Sequence, residues 1–163
     1  MSDASEMRGL LALVHDAKAE SVERTAFCSH CGTRPQRDTG SRVCESCGFG
    51  VLLQTREDAA PSAGDAFLVI DDSMSVCAVS AEAERLLAIN ETDAVNRHLT
   101  QLLVPAEAED TDRTNLAVAI TWAARGSTAS RKVVVRPANT FGLRLPARIV
   151  SCGPPKAALI VFE

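Results

Sequence analysis

Long apolar runs are missing from this 163-residue chain: none approaches the ~20 residues that cross a bilayer as a helix. Its first residues also lack the basic, apolar, small-residue order of an export signal. A cytoplasmic chain with reduced thiols is therefore expected, which favours metal over disulfide for its cysteines. Tyrosine is absent, tryptophan occurs once, and lysine is scarce at 3 residues against 14 arginines, an imbalance that looks like genomic composition bias. No Gly-rich phosphate loop, His/Glu metalloprotease helix or nucleophile elbow is present, so no enzyme activity is expected. Positive charge is not in excess either. The net charge of −4 argues against a dedicated nucleic-acid binder. At 46% hydrophobic and 23% charged, the chain reads as one medium domain plus a small one.

What the chain does have is four cysteines in two pairs, Cys28-Ser-His-Cys31 and Cys44-Glu-Ser-Cys47, with twelve residues between them. Two Cys-x-x-Cys turns at this separation can close a tetrahedral thiolate cage on one Zn²⁺, with metal–sulfur bonds of about 2.3 Å. Gly32 and Gly48 follow the pairs, as a tight knuckle with φ > 0 requires. The pattern resembles a zinc ribbon; two redox-active sites or a pair of disulfides are the alternatives. With Cys28, Cys31, Cys44 and Cys47 all as ligands, the centre is closed and structural, because a catalytic zinc keeps an open position. His30, between two ligands, reads as solvent-facing. Residues 21–56 hold five arginines against three carboxylates, a balance of +2. A zinc–tetrathiolate centre carries about −2, which brings the segment near neutrality.

Residues 1–22 carry an amphipathic helix over 5–20, with Met7, Leu10, Leu11 and Val14 on one stripe. Residues 23–55 form the ribbon, closed by a strand from Phe49 to Leu53. Residues 56–64 have Pro, Gly and small side chains without periodicity and read as a linker. In 65–163, strands at 66–70 and 76–79 are followed by a helix from a Ser80 cap to Leu87. Short helical pieces come next at 91–95 and 99–103, then a longer helix over about 111–124 stopped by Gly126. Strands at 131–136, 143–150 and 157–162 close the domain.

The stretch from Asp65-Ala-Phe-Leu-Val-Ile-Asp71 to Ala83-Glu-Arg-Leu-Leu87 resembles the opening of a PAS domain, a hairpin followed by a helix with an acidic-basic-Leu-Leu end. Asp93-Ala-Val-Asn-Arg-His-Leu99 is similar to the family's Val-Gly-Arg-x-Leu step. Ser80 stands where many members have Asn, and Asn96 where most have Gly, although Asn tolerates the left-handed region. The resemblance implies an α+β fold: a five-stranded antiparallel sheet of order 2-1-5-4-3 with helices on one face. Strands 66–70 and 157–162 are apolar at consecutive positions, which means burial on both faces. The flanking strands alternate, with Lys132, Arg136, Arg144 and Arg148 opposite the apolar positions. The outer face thus has an apolar centre with a basic border, and something must cover that centre. The 5–20 helix and a second protomer are the two candidates, and a homodimer using helix and sheet together is expected.

The resemblance also implies a pocket between sheet and helices that holds haem, flavin, a small metabolite or nothing. His98 is the candidate axial ligand for haem, against a surface or cap role. Trp122 is the candidate for stacking on a flavin, against a core role. The Asn96–Gln101 stretch has no cysteine, which excludes the flavin-adduct chemistry of light-sensing relatives. Cys77 and Cys152 read as buried small hydrophobes, with a redox pair as the alternative. Together these point to a non-enzymatic PAS-type sensor or adaptor in signal transduction, with the ribbon as an interaction module for a signalling protein. The alternatives are a transcription-associated regulator whose ribbon contacts nucleic acid or the transcription machinery, and a haem or redox sensor.

Overall fold

A computed structural model describes residues 21–106 and 110–163; the helix expected over 5–20 lies outside the described residues. The ribbon contributes β1 (Arg24–Cys28) and β2 (Leu52–Arg56), paired antiparallel from Arg24–Arg56 to Cys28–Leu52. Next come β3 (Phe67–Ile70) and β4 (Val76–Val79), then α1 (Ala81–Leu87) and α2 (Glu91–Ala94). A 3-10 turn at Leu99–Gln101 leads into β5 (Leu103–Pro105) and α3 (Asp110–Ala124). The chain closes with β6 (Arg131–Pro137), β7 (Leu145–Gly153) and β8 (Ala157–Phe162).

All strands join one antiparallel sheet, in which β4-β3-β8-β7 continues to β6 and, at the far end of β7, to β2 and β1. Each residue of β3 is buried, and β8 is buried from Ala157 through Val161, as two-sided burial requires. Their side chains alternate between two clusters. Leu68, Ile70, Ala158 and Ile160 face inward against Leu99, Leu103, Leu116, Ala119 and Ile120. Phe67, Val69, Leu159 and Val161 face outward. Ser80 caps α1, its hydroxyl accepting from the Ala83 N–H at 3.1 Å, and Ala88 closes the helix in the left-handed region. Asn96 also sits at positive φ, 68°, where the turn needs it.

The outer face has an occupant that the sequence reading did not consider. Phe27 and Leu53 of the ribbon hairpin, with Ala59 just behind it, complete the cluster over Phe67, Val69, Ala78, Val150, Cys152, Ala157, Leu159 and Val161. The hairpin reaches that face because β7 runs past Val150, where it was expected to stop, and pairs Cys152 and Gly153 with Thr55 and Gln54. A buried bond from Thr55 Oγ1 to the Ser151 carbonyl at 2.8 Å reinforces the junction. Residues 56–64, read as a linker, hold a 3-10 turn and bury Ala59, Ala60 and Pro61. They run under the first knuckle of the ribbon, where Arg34 donates to the Ala60 and Pro61 carbonyls.

Two smaller differences have local causes. The helical piece expected over 99–103 stops at Gln101, and Leu103–Pro105 is a short edge strand on β6, where a proline costs no ladder bond on the open side. Cys77 is exposed, not buried, because a bulge lets Val69 pair with Ala78 and Ile70 with Val76, leaving Cys77 the extra residue turned outward.

Candidate metal centre

The first knuckle follows β1 directly. Cys28 ends the strand, and the Gly32 N–H returns to the Cys28 carbonyl at 3.0 Å, a turn that holds Gly32 at φ 73°. The second knuckle repeats the turn, Gly48 N–H to Cys44 carbonyl at 2.9 Å with Gly48 at φ 72°. Cys44 N–H to Gly50 O closes the second knuckle, and Ser29 N–H to Val51 O, answered by Val51 N–H to Ser29 Oγ, ties it to the first and brings the two pairs together. All four sulfurs then lie within 4.8 Å of one another, Cys28 to Cys47 at 3.6 Å and Cys31 to Cys44 at 3.8 Å. A tetrahedron with metal–sulfur bonds of about 2.3 Å has edges of about 3.8 Å, so the donor set fits one ion.

The surroundings suit thiolates. The N–H groups of His30 and Cys31 approach Cys28 Sγ at 3.4 and 3.5 Å, and that of Gly50 approaches Cys47 Sγ at 3.5 Å. Gly50 has an ordinary φ but no spare room, since a Cβ there would stand 2.1 Å from Cys28 Sγ. The thiols differ in acidity. Burial pushes Cys28 up to about 12 against the pull of the Cys31 and His30 N–H groups. Cys47 resists a smaller burial and is brought down to about 6 by the N–H groups of Gly50 and Phe49. Cys28 and Cys44 are buried, while Cys31 and Cys47 are partly open. These four cysteines could bind a metal ion.

The centre is joined to the sheet at several points. The His30 carbonyl accepts from the Ala81 N–H at 2.9 Å, at the start of α1. The His30 ring is not solvent-facing as expected. Its Nδ1 is buried 3.7 Å from Glu91 Oε2, and the ring lies beside Phe49. A Cβ on Gly32 would collide with the Ser62 carbonyl at 2.4 Å and touch Phe67. Arg42 donates to the Pro154 carbonyl at 2.9 Å across the β7–β8 turn.

The other candidates are not brought to this centre or to each other. His98 is exposed at the start of the 3-10 turn, its Nδ1 held 2.7 Å from Thr100 Oγ1. Trp122 is half exposed, with the Arg131 guanidinium 4.5 Å above its ring, so it serves neither as core nor as a pocket wall. In the layer between sheet and helices, where the resemblance implied a pocket with or without a ligand, Leu68, Ile70, Leu99, Leu103, Ile120 and Ile160 are all fully buried. Cys152 is 1% exposed, and burial pushes its thiol up to about 12. The role of Thr55 and Cys152 in joining ribbon to sheet had no sequence signal, because their pairing is set only by the tertiary fold.

No protein-family model matches the chain, and no curated protein does. The solved structures it resembles include PAS domains. The PAS domain of nitrogen regulation protein NR(II) from Vibrio parahaemolyticus matches at 18% identity and a TM-score of 0.45, over 61% of this chain and 88% of that one. A domain of the sensory box sensor histidine kinase/response regulator from Geobacter sulfurreducens matches at 12% identity and 0.45, over 62% and 83%. The PAS domain of an HTR-like protein from Haloarcula marismortui matches at 10% identity and 0.44, over 61% and 79%. Among the described residues, no helix is long and apolar enough to cross a membrane.

Proposed function

We propose that the chain is a non-enzymatic sensor or adaptor of signal transduction, in which a structural Zn²⁺ fixes the ribbon against a PAS-type sheet. The observation that carries this reading is the shared outer cluster. Phe27 and Leu53 pack on Phe67, Val69 and Leu159, so a change in the sheet is felt by the ribbon without a flexible joint between them. The strand order β4-β3-β8-β7-β6, with the helices packed on its inner face, supports the PAS half of the reading. The zinc half rests on the fit of four sulfurs to one tetrahedral ion. Comparable small sites gain about 10–16 kcal/mol of folding energy from the metal near neutral pH.

The ribbon offers its partner the rim of the second knuckle, where Phe49 is 84% exposed beside the exposed Val43 and Val51. A homodimer through the sheet centre would have to displace the ribbon first. Native mass spectrometry of the full chain tests the metal half: one Zn²⁺ per chain supports it, and freely alkylated ligand thiols with no transition metal overturn it. Affinity capture of wild type against Phe49→Glu tests the docking half. A signalling protein held by wild type and lost from the variant supports it, and equal capture by both overturns it.

The nucleic-acid reading is disfavoured by how the ribbon spends its arginines. Arg24, Arg34 and Arg42 donate to backbone carbonyls of the chain itself, and Arg56 is paired with Asp58 and the Thr128 carbonyl. Few are left to displace counterions from phosphate. Binding to random duplex that weakens steeply with salt would reverse this preference.

A further inference from the structure

The two clusters on either side of the sheet depend on the ribbon unequally. All of the inner cluster comes from residues between Ala66 and Phe162, whereas the outer one takes Phe27 and Leu53 from the hairpin. β2 joins β7 only at Gln54–Gly153 and Thr55–Cys152, while β7 and β8 are paired from Ala147–Phe162 to Cys152–Ala157. Between the two ribbon strands, residues 29–51 bury only Ser29, Gly32, Cys44 and Gly50. That stretch has no apolar core of its own. Its shape hangs on the sulfur cluster, and the placement of Phe27 and Leu53 hangs on that shape.

We infer that the metal centre is a latch on the outer face of the sheet: the loaded centre holds the hairpin down over Phe67, Val69, Leu159 and Cys152, and metal release lifts it while the inner core stays folded. This rests on the reading of the four cysteines as a metal site. Lifting uncovers a contiguous apolar strip that a soluble protein does not leave open, so metal occupancy governs whether that surface is available. The unequal dependence is what makes the opening local. An element held by two ladder pairs, one cluster and single hydrogen bonds such as Thr55 to Ser151, Ala81 to His30 and Arg42 to Pro154 opens at lower cost than strands paired along their full length on both faces.

Cys152 reports the state of the latch from beneath the hairpin, where it is 1% exposed and paired with Thr55. The experiment uses the full chain carrying Cys77→Ser, which removes the exposed thiol outside the centre. Zinc-loaded and chelator-treated samples are alkylated with iodoacetamide, the modified positions are mapped by mass spectrometry, and amide exchange is followed in parallel at β3, β8 and Leu116–Ala124. In the loaded chain, all five remaining cysteines should be protected. After chelation, Cys152 should react at least about tenfold faster while the amides of Leu68, Ile70 and Ile160 keep their protection. The latch is overturned if Cys152 stays slow while the four ligands are modified, or if the inner amides exchange together with Cys152. Ligand cysteines that alkylate at full rate before any chelator is added would instead remove the metal reading, and the latch with it.

Discussion

The rings of Phe27 and Phe67 meet edge to face, with centroids 5.7 Å apart and planes at 85°. One belongs to the ribbon and the other to the first strand of the sheet, and both are fully buried. Truncating either removes the main apolar contact between the two parts. Phe27→Ala should cost about 3–5 kcal/mol, the usual loss for a buried phenylalanine. Urea unfolding of the metal-loaded chain, in which hairpin and sheet are held together, followed by far-ultraviolet circular dichroism, measures it. If ribbon and sheet folded independently, the main transition would not move, and that result would sink the shared cluster.

Gly50 and Gly48 separate space from backbone conformation. At Gly50, φ is permitted to any residue, but a Cβ would lie 2.1 Å from Cys28 Sγ and 2.9 Å from the His30 nitrogen. At Gly48, φ is 72° and nothing lies within 4 Å of the added atom. Gly50→Ala should therefore lower affinity for a metal ion by at least roughly tenfold, because metal–ligand distances tolerate only about 0.2 Å of displacement. Gly48→Ala should keep the metal and lose about 1–2 kcal/mol to the left-handed conformation. Competition with a chromophoric chelator, paired with thermal unfolding, distinguishes them. Equal affinity losses would mean that the knuckle conformation, not the crowding, sets the geometry.

Ser80 holds the sheet and α1 together in a way that its cap position only partly discloses. Its hydroxyl accepts from the Phe67 N–H at 2.9 Å and the Ala83 N–H at 3.1 Å, and donates to the Asp65 carbonyl at 3.1 Å. Ser80→Ala leaves buried groups on β3 and α1 without partners, each worth about 1–3 kcal/mol. That total exceeds the loss of a surface cap alone, typically about 1 kcal/mol. Equilibrium unfolding of the variant decides between them, and a loss of only the cap's size would place the Phe67 bond elsewhere.

These residues also show which signals were legible before the fold was known. The cysteines and β3 and β8 were readable because their constraints are local: spacing fixes a tetrahedral cage, and consecutive apolar residues mean burial on both faces. The cap at Ser80 was readable for the same reason. What covers the outer face was not. The closing strand of the ribbon was expected at Phe49–Leu53 and falls instead at Leu52–Arg56, because its pairing with β1 and with the end of β7 depends on how the curled sheet presents Cys152 and Gly153. Cys77 was misread because one bulge inverts the facing of a residue whose neighbours alternate correctly. His98 was a candidate by residue type and by its segment before Leu99, and Trp122 by residue type, and neither says which way a ring turns.

Asp71 makes the β3–β4 turn sensitive to pH. Partial burial opposes its ionisation, yet the Ser73 hydroxyl at 2.7 Å and the N–H groups of Ser75 and Ser73 at 2.8 and 2.9 Å hold its carboxyl below the usual range. A carboxylate with a lowered folded value adds stability that is complete above the unfolded value, about 3.9, and is lost as pH falls through the folded one. The stability gap between wild type and Asp71→Asn should therefore be widest near neutrality and shrink as the pH drops from about 6 towards 2. The amide of the variant can still accept through Oδ1, so the turn itself should survive and the comparison isolates the charge. Urea midpoints measured across that range provide the test. A gap that stays constant with pH would show that the turn is held by geometry and not by the ionised carboxylate.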